Sequence, residues 1–174
     1  MFYALMIDSN GNGIGSHAYV EQPSSYPSNE IPCTEAQAKT PMAYQVVNGQ
    51  IVESLTYAKT SQIALLQSAF QKAEQAPVSV TLASGVTTSF GMTPHDWSKI
   101  IGLYSKYVAK GVALPSGYQI PDVNGVLQSV TVADIENLFN AGETQMTGAI
   151  AKLSSLVGEV QAATTVSTVQ AIVY

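Results

Sequence analysis

At 174 residues with a 46% hydrophobic share, the chain is long enough for one core-bearing domain plus a small appendage. Charged residues make up only 11%, less than half the usual share, and the net charge is -5 with the basic residues spread thinly, which argues against a phosphate-binding surface and hence against nucleic acid. No apolar run approaches the ~20 residues that span a bilayer, Cys33 stands alone and so permits neither an internal disulfide nor a cysteine-rich zinc site, and the N-terminus lacks the basic-then-apolar order of a secretory signal.

The chain opens with an apolar run, Phe2 to Ile7, followed by Gly11-Asn12-Gly13-Ile14-Gly15-Ser16. A strand entering a glycine-rich turn is how a dinucleotide fold begins, but that fingerprint needs glycine at the first, third and sixth positions, and the sixth here is Ser16. The loop must also open a helix whose N-terminus receives the phosphate. Instead the chain runs through Tyr19 and Val20 to Pro23 and Pro27, which exclude a helix. The segment is therefore expected to be a β-hairpin with its turn over Asn10 to Gly13, where Asp, Asn and Gly accept left-handed backbone.

Residues 21–32 are rich in Pro and Ser and read as a loop. Thr34 and Gln37 have the spacing of a capping box for one helical turn ahead of Pro41. Asn48-Gly49 between β-rich arms is a strong hairpin signal. A helix is expected over 57–75, with Ile63, Leu66, Phe70 and Ala73 on one face.

A unit then occurs twice. A hairpin turning at Ser84-Gly85 runs into a helix over 94–110, capped by Thr93, with Pro94 at its first position and Asp96 in its first turn. A second hairpin turning at Asn124-Gly125 runs into a helix over 132–162, begun by Thr131 and Asp134. Gly142 and Gly148 mark places where this last helix could break. The whole reads as an α+β fold: short N-terminal β-hairpins in a module over 1–54, then a helical domain over 55–174 with two hairpin-plus-helix units and a long C-terminal helix.

Along that helix Met146, Ile150, Leu153, Val157 and Val160 form a heptad-like seam with a stutter at Met146. It reads either as an amphipathic face on its own domain or as an intermolecular coiled coil. Tyr107 and Tyr118, together with Tyr104, are candidates for an aromatic binding patch. These eight residues are the candidate partner-binding set, through which the chain would bind a fibre or a second copy of itself.

Candidate chemistry is sparse. His95 adjoins Asp96, and sequence neighbours on a helix point apart and cannot orient one another. His17 lies in a strand without an evident partner. Cys33 precedes a helix start, a place that can lower a thiol pKa. No nucleophile elbow, phosphate loop or paired-histidine metal motif occurs, and no two carboxylates stand out as a glycosidase pair. No catalytic, cofactor-binding or metal-binding residue is assigned.

From Leu55 to the C-terminus the chain resembles a family of uncharacterised domains found in tail and tail-fibre-assembly proteins of tailed bacteriophages. The resemblance rests on the helix near Lys59, the "TPHDW" helix start after a hairpin, the "DVNGVLQSVTVADIENL" unit and the ending "LVGEVQAATTVSTVQAI". "YQVVNGQIVES" is similar to the short β-module that precedes this domain in fibre-assembly proteins. The resemblance implies a non-enzymatic protein that binds a tail fibre or another tail protein, as an assembly chaperone in the host cytoplasm or as a structural part retained in the virion. Two other readings stand beside it: an adhesin or glycan-binding module at the host surface, and a small hydrolase acting on host glycan.

Overall fold

The computed structural model describes all 174 residues. The chain is α+β and divides into two compact units, Met1–Leu66 with Leu156–Val173, and Gln67–Ser155 with Tyr174. The C-terminal end of the last long helix joins the N-terminal unit, so that unit is built from both ends of the chain.

In the first unit β1 (Phe2–Ile7) lies between β2 (Gly13–Tyr19) and β3 (Glu30–Cys33), both antiparallel to it. The glycine-rich segment is the β1–β2 turn and its exit strand. Asp8 fixes that turn by accepting hydrogen bonds from the Asn10 and Asn12 N–H groups at 2.8 and 2.9 Å and from the Asn12 side chain at 2.9 Å. The glycines are required by close approach. The Val46 N–H donates to the Gly11 carbonyl at 2.7 Å. A Cβ on Gly13 would stand 2.1 Å from the Pro41 carbonyl oxygen, and Gly11 has φ +82°. These glycines thus serve the seating of the turn on backbone, and the chain leaves them as a strand with no helix N-terminus behind it.

The loop expected over 21–32 ends early, because Glu30–Cys33 forms β3. Pro32 hid it: proline removes a ladder donor and is tolerated here because β3 is an edge strand. The Thr34–Gln37 capping box forms and opens α1 (Glu35–Lys39), followed by a 3-10 turn over Pro41–Ala43. β4 (Tyr44–Val47) and β5 (Gln50–Glu53) pair through Asn48 and Gly49, at φ 52° and 77°, as a primed two-residue turn needs. α2 (Leu55–Glu74) starts at Ser54, whose hydroxyl accepts from the Tyr57 N–H, and buries Leu66. From the other end of the chain come Val160, Ala163 and Val169, the last on α5 (Val166–Ala171), which Thr165 caps.

The second unit holds the two hairpin-plus-helix elements. β6 (Val78–Thr81) and β7 (Thr87–Phe90) lead to α3 (Pro94–Leu103). β8 (Gln119–Pro121) and β9 (Leu127–Ser129) lead to α4 (Val132–Ala162). Their inward residues, including Val78, Val80, Phe90, Ile100, Ile135 and Leu138, form one core. The two helix starts are built alike. In each, the threonine hydroxyl donates to the aspartate carboxylate and accepts from its N–H, at 2.6 and 3.3 Å for Thr93–Asp96 and at 2.7 and 3.2 Å for Thr131–Asp134.

Within the second unit the two hairpin-plus-helix elements are tied together. Asp134 also accepts from the Ala83 N–H of the first hairpin at 2.7 Å. The Val123 N–H of the second hairpin donates to the Ser89 carbonyl at 2.9 Å. Helix α4 does not break at Gly142 or Gly148. Gly142 instead admits the other helix, since a Cβ there would lie 2.4 Å from Met92 Cε and 2.5 Å from the Trp97 ring.

A candidate binding groove walled by a π-helix

Helix α3 does not continue as α-helix to residue 110. From Tyr104 to Ala109 it widens into a π-helix. At its start the Tyr104 ring stacks on Phe139 of α4 at 4.0 Å between centroids, and Trp97, seven residues earlier and so on the same helix face, stacks on Phe139 at 5.4 Å. Tyr107 turns inward to 6% exposure. π-Helical segments are rare and concentrate at functional sites.

The π-helix forms one wall of an open groove of about 820 Å³ within the second unit, in the size range of ligand clefts. Phe90, Ile100, Leu103 and Leu138 supply apolar lining, and Tyr107, Tyr118, Ile120 and Val123 continue it towards the second hairpin. Tyr107 and Tyr118 meet at 5.7 Å with rings tilted by 57°.

Polar groups at the groove differ in what they have left to offer. Burial pushes the Asp122 carboxyl up, but hydrogen bonds from the Val126 and Asn124 N–H groups, Thr88 and Gln128 outweigh it and hold the group below its ordinary value. Thr93 donates to the Asp96 carboxylate. Lys99 and Lys106 line the groove, and the ion pairs of the chain lie elsewhere, at His17–Glu30 and Lys39–Glu35. The Lys106 ammonium sits 4.9 Å over the Tyr107 ring.

The groove brings together two of the sequence candidates, Tyr107 and Tyr118, but as walls of a cleft. Tyr107 is buried, so it is not a surface aromatic; Tyr104 is committed to its stack on Phe139. The α4 seam is not a continuous exposed stripe. Val160 is fully buried in the first unit, Met146, Leu153 and Val157 are half-buried, and Ile150 alone is exposed, at 52%. The fully buried positions of α4 are Asp134, Ile135, Leu138, Gly142, Ala149 and Val160, so of the expected seam Val160 alone is fully buried. Gly142 and Ala149 are small, and a reading that weighted large apolar residues passed over them.

His95 is exposed on the first turn of α3. Cys33 is half-buried on β3, and burial pushes its thiol up rather than down. His17, read from sequence as unpartnered, has a partner: its Nδ1 lies 2.6 Å from the carboxylate of buried Glu30, which also accepts from the Tyr19 hydroxyl. Glu30 stands opposite Met6 on one side of β1 and His17 opposite Ala4 on the other, a pairing hidden until β3 is placed. No three His, Cys, Asp or Glu side chains stand together as a metal site, and no helix is long and apolar enough to cross a membrane.

Fold and groove together define an α+β protein with an open cleft lined by apolar residues, two lysines and two aspartates. The chain matches no protein-family model, and no curated protein and no solved structure is significantly similar to it.

Proposed function

We propose that this protein is an accessory protein of a bacteriophage tail fibre, either an assembly chaperone or a component retained in the virion, and that it acts by binding another chain rather than by catalysis. The observation that carries the binding reading is the groove walled by the π-helix, where Leu103, Tyr118 and Ile120 contribute half-buried apolar surface. Open apolar clefts of this kind suit a segment of another polypeptide. The phage setting rests on the sequence resemblance, whose residues fall on the helix start at Thr93, the second hairpin-plus-helix unit and α5. The partner is a tail fibre or another tail protein, met in the bacterial host cytoplasm during assembly.

Mass spectrometry of purified particles tests this reading. Recovery of the chain with the tail proteins assigns it to the virion. Its absence from particles, combined with loss of fibres when the gene is deleted, makes it a chaperone. Normal fibres and infectivity without the gene, and no chain in the particles, would refute both.

A further inference from the structure

We propose that the free edge of β5 is a second docking site, which takes an extended segment of a partner chain as an added strand, with a β-branched residue opposite Ile51 and a cation opposite Glu53. The other strand edges of the first unit are blocked or occupied. β3 carries Pro32, which has no N–H to pair. β2 lies so close to the Pro41–Ala43 turn that a Cβ on Gly13 would stand 2.1 Å from the Pro41 carbonyl oxygen, and the Ser16 hydroxyl donates to the Ala38 carbonyl at 2.8 Å. The outer edge of β4 is bonded to the first turn, by the Val46 N–H to the Gly11 carbonyl and by the bridge between Asn12 and Gln45. β5 has β4 on one side and no strand on the other.

The hairpin register fixes which groups are free. Its two-residue turn makes Val47 and Gln50 a hydrogen-bonded pair, Gln45 and Val52 are the next, and beyond them the Ser54 N–H donates to the Ala43 carbonyl at 2.8 Å. Ile51 and Glu53 fall between these pairs, so their N–H and C=O groups point away from β4, and neither N–H has a partner elsewhere in the chain. No Pro, Lys or bulge protects this edge. Unpaired groups alternating along a strand are complementary to an extended backbone.

Side chains narrow the occupant. Ile51 is half-buried on one face of the hairpin and Val52 is 37% exposed on the other, which suits β-branched neighbours. Glu53 is the one charge on β5, and the ion pairs of the chain leave it out. With Tyr44, Tyr57 and Leu65 it lines a depression of about 270 Å³, in which it is the only charged residue. A residue paired with Glu53 projects to the face that Glu53 shares with Tyr44. A lysine there would lay its aliphatic stem along the exposed Tyr57 and Leu65 and bring its ammonium to the carboxylate.

The test uses the full chain, isotope-labelled for NMR, and the peptide acetyl-Thr-Lys-Thr-Val-Thr-amide, with Lys to meet Glu53 and Val to meet Ile51. Binding should slow hydrogen exchange at the Ile51 and Glu53 N–H groups at least about tenfold at saturation, and more than at Val52. Methylating the peptide nitrogens of Lys and Val, which face β5, should abolish the effect; methylating those of the two Thr that follow them should not. Replacing the peptide Lys by Glu should weaken binding about threefold or more, and Glu53→Lys, at an exposed position, should reverse that preference. Ile51→Pro removes an N–H that β4 does not use and should abolish binding. No added protection at these two groups up to about 5 mM peptide, equal binding of the peptide methylated at Lys and Val, or a preference unmoved by Glu53→Lys would overturn the proposal. So would protection of both groups in the free chain that grows with protein concentration, which would give the edge to a second copy. Particle composition is read separately, so failure here leaves the tail-fibre reading to its own test.

Discussion

Single glycines show most plainly how backbone contact, rather than ligand binding, shapes this sequence. Gly142 and Gly148 are six residues apart in α4, yet they are not equivalent. A Cβ on Gly142 meets Met92 and the Trp97 ring, while one on Gly148 meets nothing within 4 Å. Gly142→Ala should therefore destabilise the protein by about 1–2 kcal/mol, because the rigid indole cannot yield and overpacking outweighs the gain in helix propensity. Gly148→Ala should stabilise it by about 0.5–1 kcal/mol. Urea denaturation of the two variants reads both signs in one experiment; destabilisation by both would mean that helix flexibility, not the contact with Trp97, is what Gly142 supplies.

Among the secondary elements, the hairpin-plus-helix units stand or fall with their aspartates. Burial pushes the Asp134 carboxyl up, but bonds from the Thr131 N–H and hydroxyl and from the Ala83 N–H outweigh it and hold the group below its ordinary value. A carboxyl depressed on folding contributes stability that is present above the unfolded value, near pH ~4, and is lost as the pH falls through the folded value. Asp134→Asn should cost about 1–2 kcal/mol at neutral pH, through a weakened cap and a weakened link to the first hairpin. The gap in denaturation midpoint between parent and variant should close towards pH 3 or below. A gap independent of pH would remove charge from the explanation. Elements with such local signals were legible in the sequence: the Thr-x-x-Asp starts, the Asn-Gly turns and the full span of α4. β3 was not, because Pro32 breaks the strand pattern and its partner β1 lies more than twenty residues away. Nor was the π-helix over Tyr104–Ala109, whose residues keep ordinary helical spacing in the sequence. The groove is assembled from β7, α3, β8 and α4, so sequence pointed to Tyr107 and Tyr118 but not to Lys99, Lys106 or the cleft itself.

For the whole molecule, the question is which surface meets another chain. The α4 seam is largely occupied by the protein's own packing, so charge placed on it should act on stability. Leu153→Asp, at a half-buried position, should lower the melting temperature, with a cost of about 1–3 kcal/mol. Ile150→Asp, at an exposed one, should change stability by less than about 0.5 kcal/mol and leave sedimentation unaltered. A smaller sedimenting species for Ile150→Asp would return the interface to α4. The central claim is that the groove beside the π-helix receives a fibre chain. Its most direct test is a photo-crosslinking residue placed at Gln119, which is exposed and lines the groove, and in a second protein at Ile101, which is exposed on α3 outside it. After irradiation of phage-producing cells, the account predicts a crosslink to a tail-fibre protein from position 119 and none from position 101. Crosslinking to the fibre from 101 but not from 119 would contradict it.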